Sequence, residues 1–119
     1  MKSNIILLFS VFSLLTSCAN DSESDLAYQE VPLAITYANS IKSIMDNNCI
    51  SCHGNTPSNG ASISLTTYQN VKNAVLNEGL IDMISKAQGA SGMMPYGGTR
   101  LPQSKIDEVI TWKNDGYVQ

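Results

Sequence analysis

The sequence predicts an all-α domain, on three observations. Apolar residues recur three and four positions apart in several segments, the spacing that lines up one face of a helix. Gly, Pro and cap-forming Ser or Thr residues fall at the ends of those segments. No segment keeps the apolar–polar alternation of a sustained strand.

The first helical stripe is Tyr37, Ile41, Ile44 and Met45, and it ends just before Cys49. Residues 54–65, GNTPSNGASISL, are rich in Gly, Ser, Asn and Pro and read as a loop. Thr67 is placed to cap the next helix, which runs through Val71, Ala74, Val75 and Leu76 to a stop near Gly79. Leu80, Ile81, Met83 and Ile84 indicate a second short helix ending at Gly89. Residues 89–102, GASGMMPYGGTRLP, hold four Gly and two Pro and cannot be regular structure. The last helix is expected to start near Ser104, with Asp107 three residues on as a weak capping box. Its stripe is Ile106, Val109, Ile110 and Lys113, with Trp112 beside it, and Gly116 ends it.

Ahead of this domain, residues 1–17 have the form of an export signal. Lys2 supplies a positive start, and Ile5 to Leu15 is a short apolar run. A membrane span needs roughly 20 apolar residues, so the run is too short for one. It leads into Leu15-Thr16-Ser17-Cys18, which resembles a bacterial lipobox, where the Cys is lipidated and becomes the first residue. The alternative is a plain secretory signal with an incidental Cys. Residues 18–31, CANDSESDLAYQEV, are polar and acidic and read as a flexible tether. The domain occupies residues 32–119.

Cleavage before Cys18 would leave 102 residues and remove Lys2, so six basic and ten acidic side chains would give a formal charge of −4. That balance argues against nucleic acid, which needs basic surface to neutralise phosphates. It favours partners with a basic docking patch, through steering rather than tight binding. A domain of about 90 residues folds alone only with a thin core, and a large buried apolar cofactor would enlarge it.

The stretch NNCISCHGN, residues 47–55, places Cys49, Cys52 and His53 within five positions. His53 is the only histidine of the chain, and with Cys18 lipidated these are the only two thiols left. An exported chain would normally oxidise its thiols, so some group should occupy them. Cys-x-x-Cys-His is the attachment signature of c-type haem. Two thioether bonds must reach two vinyl groups on one edge of the macrocycle, which requires thiols about one helical turn apart. The following imidazole then projects over the ring face, where it can bind iron. Cys49 and Cys52 would hold haem c, and His53 would be the proximal ligand. A thioredoxin-type pair expects a βαβ setting that this chain lacks. A zinc site would need a fourth ligand, and no second Cys pair or second His exists. A disulfide between Cys49 and Cys52 is unusual at that spacing.

One motif allows one haem, and a single His excludes bis-His ligation. Of the five Met residues, Met1 leaves with the signal, and Met45 and Met83 read as core. Met93 and Met94 lie in the Gly-rich loop before Pro95. The residue before Pro is pushed to an extended backbone, which can point a thioether into a pocket. Met94 is the favoured distal ligand, with Met93 as the alternate and a five-coordinate iron as the remaining alternative.

The order of these features resembles the class I c-type cytochromes over roughly residues 35–117, on "CISCHG", then "MMPYGG", then the closing helix "SKIDEVITWKNDGY". The resemblance implies a cytochrome c-like helical domain wrapped around one covalently bound haem. It also implies that the Met before Pro, Met94, ligates the iron, and that the first and last helices cross. Tyr37 and Ile41 would then face Val109, Ile110 and Trp112, giving Trp112 a core role. The stretch "SLTTYQNVKN" also resembles small exported cytochrome domains of Bacteroidetes-type bacteria. Pro57 lies much closer to His53 than the family's Pro whose carbonyl accepts the second ring proton, so another backbone carbonyl should take it. The family's ring of docking lysines is not evident.

Arg100 could pair with a haem propionate, with a solvated surface Arg as the equal alternative. Tyr68 could hydrogen-bond a propionate, against a core or half-exposed place in its helix. The acidic run Asp21, Ser22, Glu23, Ser24 and Asp25 resembles runs that direct lipoproteins to the cell surface; a solvated linker is the alternative. The expected function is single-electron transfer by a lipid-anchored monohaem cytochrome in the bacterial envelope, either on the periplasmic face of the outer membrane or at the cell surface. Its partners would be envelope redox proteins. The alternatives are a haem peroxidase or small-ligand sensor with an open distal site, and a haem-bearing docking subunit of a larger redox complex.

Overall fold

The computed structural model describes residues 33–119, and Leu33–Gln119 pack together as one unit. The signal, the tether and Cys18 lie outside the described residues. Four α-helices follow in order: α1 (Lys42–Asn48), α2 (Tyr68–Asn77), α3 (Leu80–Ser85) and α4 (Gln103–Asn114). A wider π-helical turn, Tyr37–Ile41, leads directly into α1. No strand occurs among the described residues.

The π-helical turn starts at a full capping box. The Thr36 side chain accepts from the Asn39 N–H, and the Asn39 side chain accepts from the Thr36 N–H. Two otherwise unpaired donors are thereby satisfied. The turn and α1 bury Tyr37, Ile41, Ile44 and Met45, the stripe expected from the sequence. Thr67 caps α2 as expected, accepting from the Asn70 N–H at 3.2 Å. The buried face of α2 is Val71, Ala74 and Val75, whereas Leu76 points to solvent and is 54% exposed. Gly79, at a φ of 69°, separates α2 from α3 in a conformation that favours glycine.

Two helix ends differ from expectation. Helix α3 ends at Ser85 rather than Gly89, because Lys86 turns to an extended backbone. The Arg100 guanidinium donates to the carbonyls of Ser85 (3.4 Å) and Lys86 (3.0 Å), groups that the end of a helix leaves without partners. Helix α4 begins at Gln103, one residue before Ser104, and no side chain caps it. Pro102, at a φ of −53° with an extended ψ, sets the boundary. Asp107 accepts from the Gln103 amide at 2.9 Å instead of closing a box on Ser104.

Trp112, expected beside the α4 stripe, is at its centre. The buried face is Ile106, Val109 and Trp112, while Ile110 is half-buried and Lys113 exposed. The Trp112 ring, 0% exposed, meets the rings of Tyr37, Tyr68 and Tyr117 at centroid distances of 6.1, 6.0 and 5.0 Å. The crossing of the first turn with α4 that the family resemblance implies is present in the Tyr37–Trp112 contact.

The chain end locks this cluster. The Val118 carbonyl accepts from the Tyr37 N–H (2.8 Å) and from Trp112 Nε1 (2.7 Å). The Tyr117 carbonyl accepts from the Tyr68 hydroxyl (2.8 Å). Tyr117 takes a φ of 64°, which is costly for a bulky side chain, and these bonds with its ring contact hold it there.

Replacing Trp112 by Ala removes the shared contact of three tyrosines. It should lower stability by about 3–5 kcal/mol, the range for a buried aromatic truncated to Ala. Ile110→Ala, at a half-buried site on the same helix, should cost clearly less. Urea unfolding of the two variants beside the wild type measures the difference.

Candidate functional site

Cys49, Cys52 and His53 sit on a turn that prolongs α1. The Cys49 N–H donates to Met45 O at 2.8 Å, Cys52 N–H to Cys49 O at 3.1 Å, and His53 N–H to Cys49 O at 2.8 Å. These bonds keep the two thiols three residues apart on a helical turn, the separation at which side chains share a face. Cys49 is buried and Cys52 half-buried, and neither is in a disulfide. Burial pushes the Cys49 thiol up to about 11, because the charged thiolate is penalised there. Cys52 receives a hydrogen bond at its sulfur from the Asn59 amide, at 3.5 Å.

The imidazole is oriented by backbone. His53 Nδ1 lies 2.9 Å from the Ile63 carbonyl oxygen. A carbonyl can only accept, so Nδ1 carries the hydrogen and Nε2 keeps its lone pair. The Leu65 N–H donates back to the His53 carbonyl at 2.8 Å. The loop of residues 54–65 is thus tied to His53 at two points, and Ile63 supplies the carbonyl that the sequence could not locate.

A cavity of about 920 Å³ opens beside the motif turn. This lies within the range of about 300–1,000 Å³ typical of cofactor sites. The motif turn contributes Cys49, Cys52 and His53 to its wall. Ala61, Ile63 and Leu65 come from the loop, Leu80, Met83 and Ile84 from α3, and Met94, Pro95 and Tyr96 from the Gly-rich loop. The wall is largely apolar and suits a planar apolar macrocycle anchored along one edge. Among the described residues, no three His, Cys, Asp or Glu side chains converge as a metal-ion site.

The two loop methionines separate. Met94 is half-buried and lines this cavity. Met93 is buried, and it lines a different, smaller cavity of about 430 Å³ with Gln88 and Tyr96. Met45 is core, as expected, at 0% exposure. Met83, expected in the core, is 37% exposed and lines the larger cavity, because it follows Leu80 by three residues on the face that α3 turns to it.

Neither propionate candidate reaches the cavity wall. Arg100 holds the end of α3, and it also donates to Leu101 O (3.2 Å) and to the Gln103 side chain (2.7 Å). The Tyr68 hydroxyl is engaged by the Tyr117 carbonyl within the aromatic cluster. Both are corrected to structural positions, since the donors each would offer are already directed to backbone. Sequence reasoning missed Glu78, at the end of α2, which does line the cavity. No motif marks it, 25 residues beyond His53.

Two thiols one turn apart, an imidazole with Nε2 available and an apolar cavity between helices and a Met-bearing loop are the requirements of a c-type cytochrome. Residues 37–112 match the family described as cytochrome c oxidase, cbb3-type, subunit III. The match covers more than half of the 119 residues, and the chain belongs to that family. It begins at Tyr37 and ends at Trp112, the two residues whose rings meet across the fold. No curated protein and no solved structure matches the chain significantly.

Membership makes the cofactor a covalently bound haem c with its iron, attached through Cys49 and Cys52, and the activity haem-based electron transfer. It also places the domain outside the cytoplasm or at a membrane. Among the described residues, no helix is long and apolar enough to cross a membrane.

The placement of Arg100 has a direct test. Arg100→Gln should lower the urea midpoint, by a stability loss of about 1–2 kcal/mol for the lost charged hydrogen bonds. The reduction potential of the haem protein should stay unchanged. A moved potential with unchanged stability would return Arg100 to the propionates.

Proposed function

We propose that this chain is a lipid-anchored, monohaem electron carrier of the bacterial envelope, with His53 and Met94 as the axial ligands. One observation carries the reading: His53 and Met94 line the same cavity, while Met93 does not. Bound haem supplies the one-electron couple. The residues around it set what that couple does. The Ile63 carbonyl fixes the imidazole tautomer and raises its basicity as a ligand. The Met94 thioether favours the reduced iron and raises the potential. The apolar wall of Leu65, Leu80 and Ile84 excludes water and acts in the same direction.

Lipid on Cys18, at the head of an acidic tether, would hold the domain near membrane partners. Two or more acyl chains make such anchoring stable. The lipobox-like LTSC and the polar stretch after it support this, as does the likeness of SLTTYQNVKN to exported Bacteroidetes-type domains. The partners would be envelope redox proteins that present basic surface to an acidic carrier.

The family description supports a second reading, that the domain serves as a haem-bearing subunit docked on a larger oxidase-like complex. Recovery of a stable complex in mild detergent would favour it over a free carrier. A peroxidase or ligand sensor needs an open iron site, and a thioether lining the cavity beside the only His speaks against one.

Optical spectra of the haem-loaded chain test the ligation. The oxidised form should be low-spin with the Met-to-iron band. Met94→His should keep covalent haem, lose that band and lower the potential markedly; an unchanged potential would remove Met94 from the iron. Cys18→Ala should move the protein from the membrane to the soluble fraction, and retention on the membrane would remove the lipid anchor.

A further inference from the structure

The cavity wall lacks positive charge. Removing Lys2 from the seven Lys and Arg of the chain leaves six among the described residues, and none of these six lines the cavity. Lys42 pairs with Asp46, and Lys105 with Glu108. Lys72 lies over the rings of Tyr68 and Tyr117, at 5.8 and 5.1 Å from their centroids. The Lys86 ammonium donates to Ser91 O at 2.9 Å. Arg100 holds the end of α3, and Lys113 sits in the last turn of α4.

Glu78 is the only carboxylate in the lining, and it belongs to neither ion pair. It also breaks a local rule. Glu78 is the C-cap residue of α2, its N–H donating to Ala74 O at 3.2 Å. The C-terminal end of a helix carries roughly half a negative charge, so an acidic side chain is disfavoured there and a basic one preferred. Residues that break such rules without local compensation tend to belong to functional sites.

We propose that Glu78 is a potential-setting residue. Its carboxylate and the negative end of α2 place uncompensated negative charge against the cavity and hold the reduction potential of the bound haem down. Oxidised iron carries one more positive charge than reduced iron, so a nearby anion favours the oxidised form by Coulomb attraction. Glu78 is exposed, and mobile ions therefore screen part of its field. The low-dielectric cavity wall focuses the rest. Glu78 acts through this field and touches no reacting atom, which makes it a positioning residue. The inference rests on the electron-transfer reading and deepens it.

The test is a potentiometric titration of the haem-loaded protein at low and high salt. It compares wild type with Glu78→Gln, Glu78→Asp and Asp115→Asn. Glu78→Gln should shift the potential upward, more at low salt than at high. Glu78→Asp should stay near wild type. Asp115→Asn removes the same charge from the C-cap of α4, away from the cavity wall, and should shift the potential less. A Glu78→Gln potential equal to wild type overturns the proposal, and so do equal shifts for Glu78→Gln and Asp115→Asn. The oxidised spectrum separates this outcome from a failure of the ligation. A wild type without the Met-to-iron band removes Met94 as ligand, while the potentials still decide the role of Glu78.

Discussion

The hydrogen bond from His53 Nδ1 to the Ile63 carbonyl is the constraint from which the site is built. It decides which ring nitrogen keeps a lone pair, and with it which edge of the imidazole can serve as a ligand. It also anchors a loop rich in Gly and Ser that has little packing of its own. The return bond from the Leu65 N–H to His53 O closes the tie, so Ala61 and Ile63 become cavity wall rather than loose surface. Without this tie the three residues of the motif would have a turn beneath them and no wall in front.

The rest of the domain works as a frame for that tie. At one pole, Trp112 joins three tyrosines, and the Tyr117 and Val118 carbonyls take hydrogen bonds from Tyr68, Tyr37 and Trp112. At the other, α3 and the Gly-rich loop line the cavity. Arg100 connects the two by holding the end of α3 against the start of α4. The frame needs such a link because the Gly-rich loop carries few apolar residues. Met93 fills the space behind that loop and leaves Met94 on the cavity side.

How far this was legible depends on where the information is stored. Helix positions are written in side chains, so the Ile41–Met45 stripe and the Thr67 cap could be read directly. The Cys-x-x-Cys-His chemistry is equally local. The Thr36–Asn39 capping box had a visible signal, a Thr followed three residues later by a side-chain acceptor, yet it opens a π-helical turn that no period announces. The Ile63 carbonyl could not be read, because every residue has a backbone carbonyl and only the fold selects one. Arg100 was open to a haem-facing reading for the same reason: its partners are backbone oxygens of Ser85, Lys86 and Leu101. Trp112 was placed beside its stripe because Lys113 completes the same spacing. Burial chose the aromatic, since a charged side chain at the hub would lose its hydration without a partner.

Two features of the cavity oppose each other, and their balance bears on the function. An apolar wall and a thioether ligand raise a haem potential. An anionic side chain at the end of a helix, with no cation in the wall, lowers it. A carrier that only needed the highest potential would place Lys or Arg at the end of α2, where helix stability also prefers it. Glu78 therefore runs against both the local stability of α2 and the polarity of the wall. As a potential-setting residue it has a reason to do so: the carboxylate sets the potential between those of a donor and an acceptor. The same charge lies on a wall shared with Tyr96, which is 82% exposed. A partner that approaches over Tyr96 with basic surface would neutralise Glu78 as it docks. Its arrival would then raise the haem potential at the moment of contact, favouring reduction by a basic donor and slowing loss of the electron until that donor leaves.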